Sequence, residues 1–374
     1  MQNRREFLKN TAMLGMAAAL PMNPVFGREM KQQKEWSFGV IPDTQWKTNM
    51  EAPFHGTAIH VIDAINAEMI RQKVDFVLEV GDLVEEASAI AFQTRAQHNK
   101  VLEDAEIEFY PLRGNHDSRN RINHVNCGAA VAQYKSAFPN LPGTPGNGGS
   151  SPDLPNAVGM TYSFTHKNGK FLLLDTFSLV DDGSEDGKAY GMADYQDWID
   201  EQLKMDDHQF AMVFAHKDLL GQDHKDNVFS DNKVDQNIPV DVQNAFFASL
   251  QNNGVKYFIC GHDHMYHHSH VKSPDGKSGV QQIICGSAAH KFYTPKAPFL
   301  ERETPIAQEL NRIGFLIIRV SENGIKTDYY STEPFGDVPH SPTWTLRDRY
   351  GYFFNGDEFG KPEDSLRQFV RPAE

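Results

Sequence analysis

The 374-residue chain has little cysteine, a deficit of positive charge and few long apolar runs. Its three cysteines, Cys127, Cys260 and Cys285, are too few for a disulfide framework. Cys260 and Cys285 each end an apolar run before a glycine, which predicts buried thiols at strand ends. A single bond between those two stays open in an oxidising compartment. Lys and Arg number 36 against 50 Asp and Glu, a formal net charge of −14. Such a field repels polyanions, so a nucleic-acid polymer is not an expected partner, whereas a small anion can still be held by a local metal charge. No stretch beyond the N-terminal leader approaches about 18 uninterrupted apolar residues, so stable membrane insertion is not expected. No internal repeat or low-complexity tract is present. With 40% hydrophobic and 11% aromatic residues, the chain can bury a sizeable core.

The first residues are expected to be an address rather than part of the fold. Arg4-Arg5 precedes Phe7-Leu8-Lys9, and a weakly apolar run from Thr11 to Leu20 leads to Pro21 and a small-residue exit near Gly27. A charged segment followed by a short apolar one is the pattern of a signal peptide, too short to span a bilayer. The paired arginines resemble a twin-arginine export signal, which predicts engagement of the export machinery and a periplasmic or otherwise exported product. The alternative is an amphipathic N-terminal helix of the mature protein. Without residues 1–27, about 347 residues remain, room for one large α/β domain or two small ones. Loss of the leader makes the net charge more negative, about −16.

Short apolar runs alternate with amphipathic ones. Phe38–Ile41, Val74–Val80, Ile107–Leu112, Phe171–Leu174, Phe210–Ala215 and Val255–Cys260 are predicted buried strands. Ile59, Ile62, Ile65, Met69 and Ile70 recur at helical spacing, as do apolar residues from Ala193 to Leu203. This alternation predicts an α/β core. Val280–Ile284, Ile313–Val320 and Ile325–Tyr330 follow without helices between them, and Glu322-Asn323-Gly324 suits a hairpin turn, so a mixed sheet is expected. Two polar insertions, Pro139–Pro155 and Gly221–Pro239, are long enough to be functional lids or disordered stretches. The tail beyond Thr332, residues 332–374, is expected to pack back over a domain spanning 28–331.

Five polar segments each follow a predicted strand: Pro42-Asp43-Thr44-Gln45, Gly81-Asp82, Gly114-Asn115-His116-Asp117, Ala215-His216 and Gly261-His262-Asp263-His264. Loops beyond the carboxyl ends of strands in an α/β sheet converge on one crevice, and the glycines permit sharp exits there. Singly, each segment reads as a turn, a helix cap or a core histidine. Together their residue types suit two divalent ions. Asp82 can bridge the pair, Asp43 adds a second carboxylate, and imidazoles and amide oxygens complete the shells. Two divalent ions less two carboxylates and a hydroxide leave about one positive charge, a trap for a phosphate ester.

The order of these segments resembles the calcineurin-like metallophosphoesterase superfamily: Asp-x-His, Gly-Asp, Gly-Asn-His-(Asp/Glu), a strand-end His and Gly-His-x-His. The resemblance runs from Trp36 to about His264, with strands to Tyr330 completing the fold. It implies two packed mixed β-sheets flanked by helices, a four-layer αββα sandwich. It also implies that Asp43, Gln45, Asp82 and His264 hold one ion and Asp82, Asn115, His216 and His262 the other, as Mn, Fe, Mg or Zn. His116 would be the general acid or a phosphoryl contact, with Glu85 or Asp117 orienting it. Asn115, Arg119, His124 and His290 are candidate substrate contacts. The sequence departs from the pattern where Gln45 replaces histidine, and where Leu83-Val84-Glu85-Glu86 lacks the tyrosine of purple acid phosphatases. His267, His268 and His270 are expected at a solvated strand end. The implied activity is hydrolysis of small phosphate esters, monoesters slightly ahead of diesters, by a metal-bridging hydroxide. A phosphodiesterase and a catalytically silent metal- or ligand-binding protein on the same fold are the alternatives.

Overall fold

The computed structural model describes residues 35–46, 59–118, 125–183, 187–229, 239–296, 301–335 and 340–369. The leader, and with it the proposed boundary after residue 27, lies outside them. In chain order the first half holds β1 (Trp36–Ile41), α1 (Ile59–Gln72), β2 (Phe76–Val80), α2 (Ala89–Asp104), β3 (Glu108–Leu112), α3 (Cys127–Ala137), β4 (Tyr162–His166), β5 (Gly169–Leu174), β6 (Ser178–Val180) and β7 (Lys188–Ala189). The second half holds α4 (Met192–Lys204), β8 (Phe210–Ala215), α5 (Val240–Asn252), β9 (Tyr257–Cys260), β10 (Met265–Lys272), β11 (Gly279–Gly286), β12 (Glu303–Glu309), β13 (Ile313–Val320), β14 (Gly324–Thr332), β15 (Thr345–Phe353) and β16 (Glu358–Gly360).

Two seven-stranded sheets form, in the orders β16-β15-β14-β13-β1-β2-β3 and β12-β10-β11-β9-β8-β5-β4. β1, β2 and β3 run parallel, as do β5, β8, β9 and β11. The remaining strands pair antiparallel at the flanks, so both sheets are mixed. Alternation of side chains along each strand sorts them between two cores. Phe38 and Val40 of β1, Phe76 and Leu78 of β2, and Leu316 and Ile318 of β13 face the second sheet. Phe171 of that sheet meets Phe38 and Phe76 edge to face, each at 5.2 Å between ring centroids. The opposite faces, with Ile41, Val77 and Ile317, bury Val61, Ile62, Ile65 and Met69 of α1. Tyr195 and Ile199 of α4 and Phe246 and Leu250 of α5 are buried with the strands of the second sheet. The result is an α/β sandwich of two mixed sheets between helices.

The segment after Thr332 joins the first sheet as β15 and β16. Weak apolar periodicity hid these strands because polar pairs secure them: Arg349 donates to Asp328 at 2.6 Å and the Tyr266 hydroxyl donates to Asp348 at 2.7 Å. The expectation of a solvated strand end at His267 and His268 is corrected. Both are buried in β10, His267 against Glu303 at 2.7 Å and His268 against Gln281 at 2.6 Å. Cys127, Cys260 and Cys285 are buried free thiols, and Cys260 donates to the Ile283 carbonyl at 3.6 Å. No described helix is long and apolar enough to cross a membrane.

Candidate metal centre

Asp43 and Gln45 follow β1, Asp82 follows β2, Asn115 and His116 follow β3, His216 follows β8, and His262 and His264 follow β9. All leave the carboxyl ends of parallel strands, where a crevice is expected. The glycines beside them make room for ligands. A Cβ on Gly81 would meet the His216 ring at 2.5 Å, one on Gly114 would strike the Asp82 carboxylate, and one on Gly261 would strike the Asp43 carboxylate. Asp43, Gln45, Asp82, His262 and His264 have φ of 30°, 42°, 53°, 71° and 47°. Left-handed backbone at a non-glycine residue costs of order 1–3 kcal/mol and persists only where surrounding structure imposes it.

That structure is visible in the ties between loops. Gln45 N–H donates to the Asp82 carbonyl at 2.7 Å and Trp46 N–H to the Leu83 carbonyl at 3.0 Å. The Thr44 hydroxyl lies 3.0 Å from the Leu83 carbonyl and 2.5 Å from the buried Glu79 carboxylate, and Arg95 Nε donates to it at 3.2 Å. Asp117 accepts from the backbone N–H groups of Gly114, Leu83 and Val84 at 2.8, 3.0 and 3.1 Å, which joins the loops after β2 and β3. Asp263 likewise accepts from Asp223 and His224 N–H at 2.9 and 3.0 Å and from the His224 ring at 2.7 Å.

The histidine lone pairs can be assigned from their outer partners. His216 Nδ1–H donates to the Val80 carbonyl at 2.9 Å, which aims Nε2 at Asn115 Oδ1 (3.1 Å), His262 Nδ1 (3.2 Å) and Asp82 Oδ2 (3.4 Å). His262 Nε2–H faces Asp226 Oδ1 at 3.3 Å, which aims its Nδ1 back at His216. His264 Nδ1–H donates to the Lys291 carbonyl at 3.0 Å and leaves Nε2 3.6 Å from Asp43 Oδ1. Two imidazole lone pairs at 3.2 Å repel unless a proton or a cation lies between them. Gln45 donates its Nε2–H to Asp82 Oδ2 at 3.0 Å, while its Oε1 is buried without a hydrogen-bond donor. Ligand atoms of Asp43, Asp82 and His216 all fall within 4.8 Å of one another. This hard oxygen and imidazole donor set fits divalent metal ions.

Without a cation, protons carry the compensation. Burial, then repulsion by Asp82, pushes the Asp43 carboxyl up to about 8. Burial works against the His216 imidazolium, but Asp82 and Asp43 more than offset it and hold its pKa up at about 9. Burial also opposes ionisation of Asp82, but His216 and His116 bring its pKa well below the ordinary value. Burial pushes His262 and His264 down, so both stay neutral and able to ligate.

His116 sits at the rim, with its N–H on Asp82 Oδ1 at 2.9 Å and its Nε2 4.0 Å from Asp82 Oδ2. Its Nδ1 is 2.7 Å from the backbone carbonyl of Glu85, while the Glu85 carboxylate is 4.0 Å away. Orientation thus comes from the Glu85 backbone. Asp117 does not reach the ring, because both its oxygens are engaged by backbone N–H groups. His290 lies against Phe335, ring centroids 6.2 Å apart. Arg119 and His124 lie outside the described residues. Sequence reasoning missed Asp226, His224, Lys217, Lys291 and Tyr293. Lys217 pairs with Asp226 at 3.2 Å, and the His224 ring stacks on His262 at 4.0 Å. The polar insertion Gly221–Pro239 hinted at His224 and Asp226 alone.

The fold and this donor set define an α/β sandwich with a candidate divalent-metal centre at its strand ends. A sequence model of the calcineurin-like phosphoesterase family matches residues 37–266, and the chain belongs to that family. No curated protein matches the sequence. The fold is similar to that of PhoD, with TM-score 0.59 and 13% identity over 91% of this chain and 74% of that one. It is also similar to purple acid phosphatase PPD1 from yellow lupin (Lupinus luteus) seeds, with TM-score 0.53 and 14% identity over 80% of this chain and 52% of that one. The chain therefore spans about half of the lupin protein. Both likenesses show the fold.

Proposed function

We propose that this chain is an exported phosphoesterase that holds two divalent ions and hydrolyses small phosphate esters, monoesters ahead of diesters. The observation that carries the reading is the convergence of carboxylate, imidazole and amide donors on Asp82. Asp43, Asp82 and His216 bring ligand atoms within 4.8 Å of one another, His264 Nε2 lies 3.6 Å from Asp43, and Asn115 and His262 lie 3.1 and 3.2 Å from His216 Nε2. When bound, such ions activate water and neutralise phosphoryl charge. The chain's own groups supply the rest. The Glu85 carbonyl accepts from His116 Nδ1–H and turns Nε2 toward Asp82, where the doubly protonated ring can give its Nε2 proton to the leaving oxygen and keep the Nδ1–H. The Asp226 carboxylate holds His262 in its ligating tautomer, and the buried Lys217 ammonium fixes Asp226 in turn. Export is supported by the Arg4-Arg5 leader pattern.

The test is hydrolysis of an aryl phosphate monoester, an aryl diester and a cyclic nucleotide, each with and without a chelator. Chelator-sensitive turnover that is fastest on the monoester is expected. Bound ions without turnover on any of the three would identify a silent metal-binding protein instead. Processing and periplasmic recovery of the full chain, lost on Arg4→Lys with Arg5→Lys, tests export.

A further inference from the structure

Lys291 lies in the loop after β11 and is tied to the centre twice. Its carbonyl receives the His264 Nδ1–H at 3.0 Å, and its ammonium lies 5.4 Å from the ring centroid of Tyr293. Tyr293 in turn meets His264 edge to face at 5.0 Å and His224 at 5.1 Å, while His224 stacks on His262. Tyr293 therefore touches both His264 and His224, and the Lys291 ammonium lies over its ring. The charge of Lys291 acts on Asp43 and His264.

Four other basic side chains of the described residues around the site are matched. Lys217 pairs with Asp226 at 3.2 Å, Lys296 with Asp223 at 2.9 Å, Arg113 with Asp175 at 2.7 Å and Arg95 with Glu79 at 2.5 Å. Lys291 is half-buried and makes no salt bridge to a carboxylate of the described residues. Its ammonium is held by the Tyr293 hydroxyl and by the more distant charges of Glu85 and Asp82, none of them in direct ion contact, so an arriving anion can supply the missing close counter-charge. The Lys291 charge matters most for a dianion, because a second negative charge adds to the attraction that a monoanion already feels.

We propose that Lys291 is a substrate-binding residue whose ammonium takes a non-bridging oxygen of the phosphate ester and favours a dianionic monoester over a monoanionic diester. This rests on the phosphoesterase reading. Lys291→Met and Lys291→Arg are compared with the parent, metal-loaded in each case, by steady-state kinetics on an aryl monoester and an aryl diester. Calorimetry with inorganic phosphate is run alongside.

Loss of one charge-assisted contact should raise the monoester KM and weaken phosphate binding roughly 10–100-fold in Lys291→Met. The diester KM should move less, kcat should change little, and Lys291→Arg should recover most of the loss. Equal losses on the two esters, or an unchanged phosphate Kd, would overturn the assignment. If the parent hydrolyses neither ester, the phosphoesterase reading fails by itself, and the phosphate Kd alone decides whether Lys291 binds anions.

Discussion

Gly261→Ala should disable the centre while leaving the fold nearly intact. Its added Cβ would lie 3.2 Å from Cγ and 3.5 Å from Oδ1 of Asp43, with Oδ2 nearer still. Relief requires the carboxylate to retreat by about 1 Å, since carbon contacts are optimal near 3.5–4.0 Å. Asp43 is held by the His262 N–H, 3.1 Å from both oxygens, so retreat breaks that anchorage. Overpacking of this kind costs about 1–3 kcal/mol, or a Tm loss of roughly 2–10 °C for a domain of this order of size. A ligand displaced by ~1 Å costs turnover on the order of 10²-fold. Elemental analysis after dialysis, aryl phosphate turnover and thermal unfolding in chelator should show lost metal, lost turnover and a modest melting shift. Gly128→Ala in α3 is the control, because its Cβ would meet nothing nearer than 3.7 Å. A Gly261→Ala protein with parental metal content and turnover would refute the packing argument.

Replacement of His116 by Ala should keep the metals and reduce turnover on the order of 10²–10⁴-fold, with a smaller loss for esters with good leaving groups. Equal losses across leaving groups would assign His116 to phosphoryl binding instead. Gln45→His should raise zinc retention through dialysis, because imidazole is a softer donor than an amide oxygen; unchanged metal identity and stoichiometry would remove Gln45 from the ligand set. In the metal-free protein, Asp43 and Asp117 have pKa values of about 8 against an ordinary 3.8, and His216 about 9 against 6.5. Above pH 6.5, where the depressed His262 and His264 are neutral in both states, the folded state binds more protons than the unfolded one, so metal-free stability falls as pH rises from about 6.5 to about 9. Ions that replace those protons should widen the Tm gap between metal-loaded and chelated protein from about pH 6.5 to about pH 9. A gap that stays constant or narrows contradicts the assignment.

Strand ends were legible because a buried parallel strand is a short apolar run, and the polar cluster that follows it stands out against that run. Gly81, Gly114 and Gly261 marked the close approaches, although only the structure shows that each spares a particular ligand. Asp117 looked like chemistry in its motif, yet it gathers backbone N–H groups, as Asp263 also does. Asp226 and His224 were hidden because ion-pairing residues in an unpatterned loop look the same as solvated ones. β12 escaped notice for a related reason. Its Glu303 and Gln308 are polar, yet buried against His267. Periodicity reads apolar burial, and these positions are buried through hydrogen bonds.

The central claim is that Asp82 joins two ions in one centre. Native mass spectrometry and elemental analysis of the metal-loaded chain should give two ions for the parent, and fewer than two with lost aryl phosphate turnover for Asp82→Asn. Asp82→Asn with two ions and parental turnover would contradict the account.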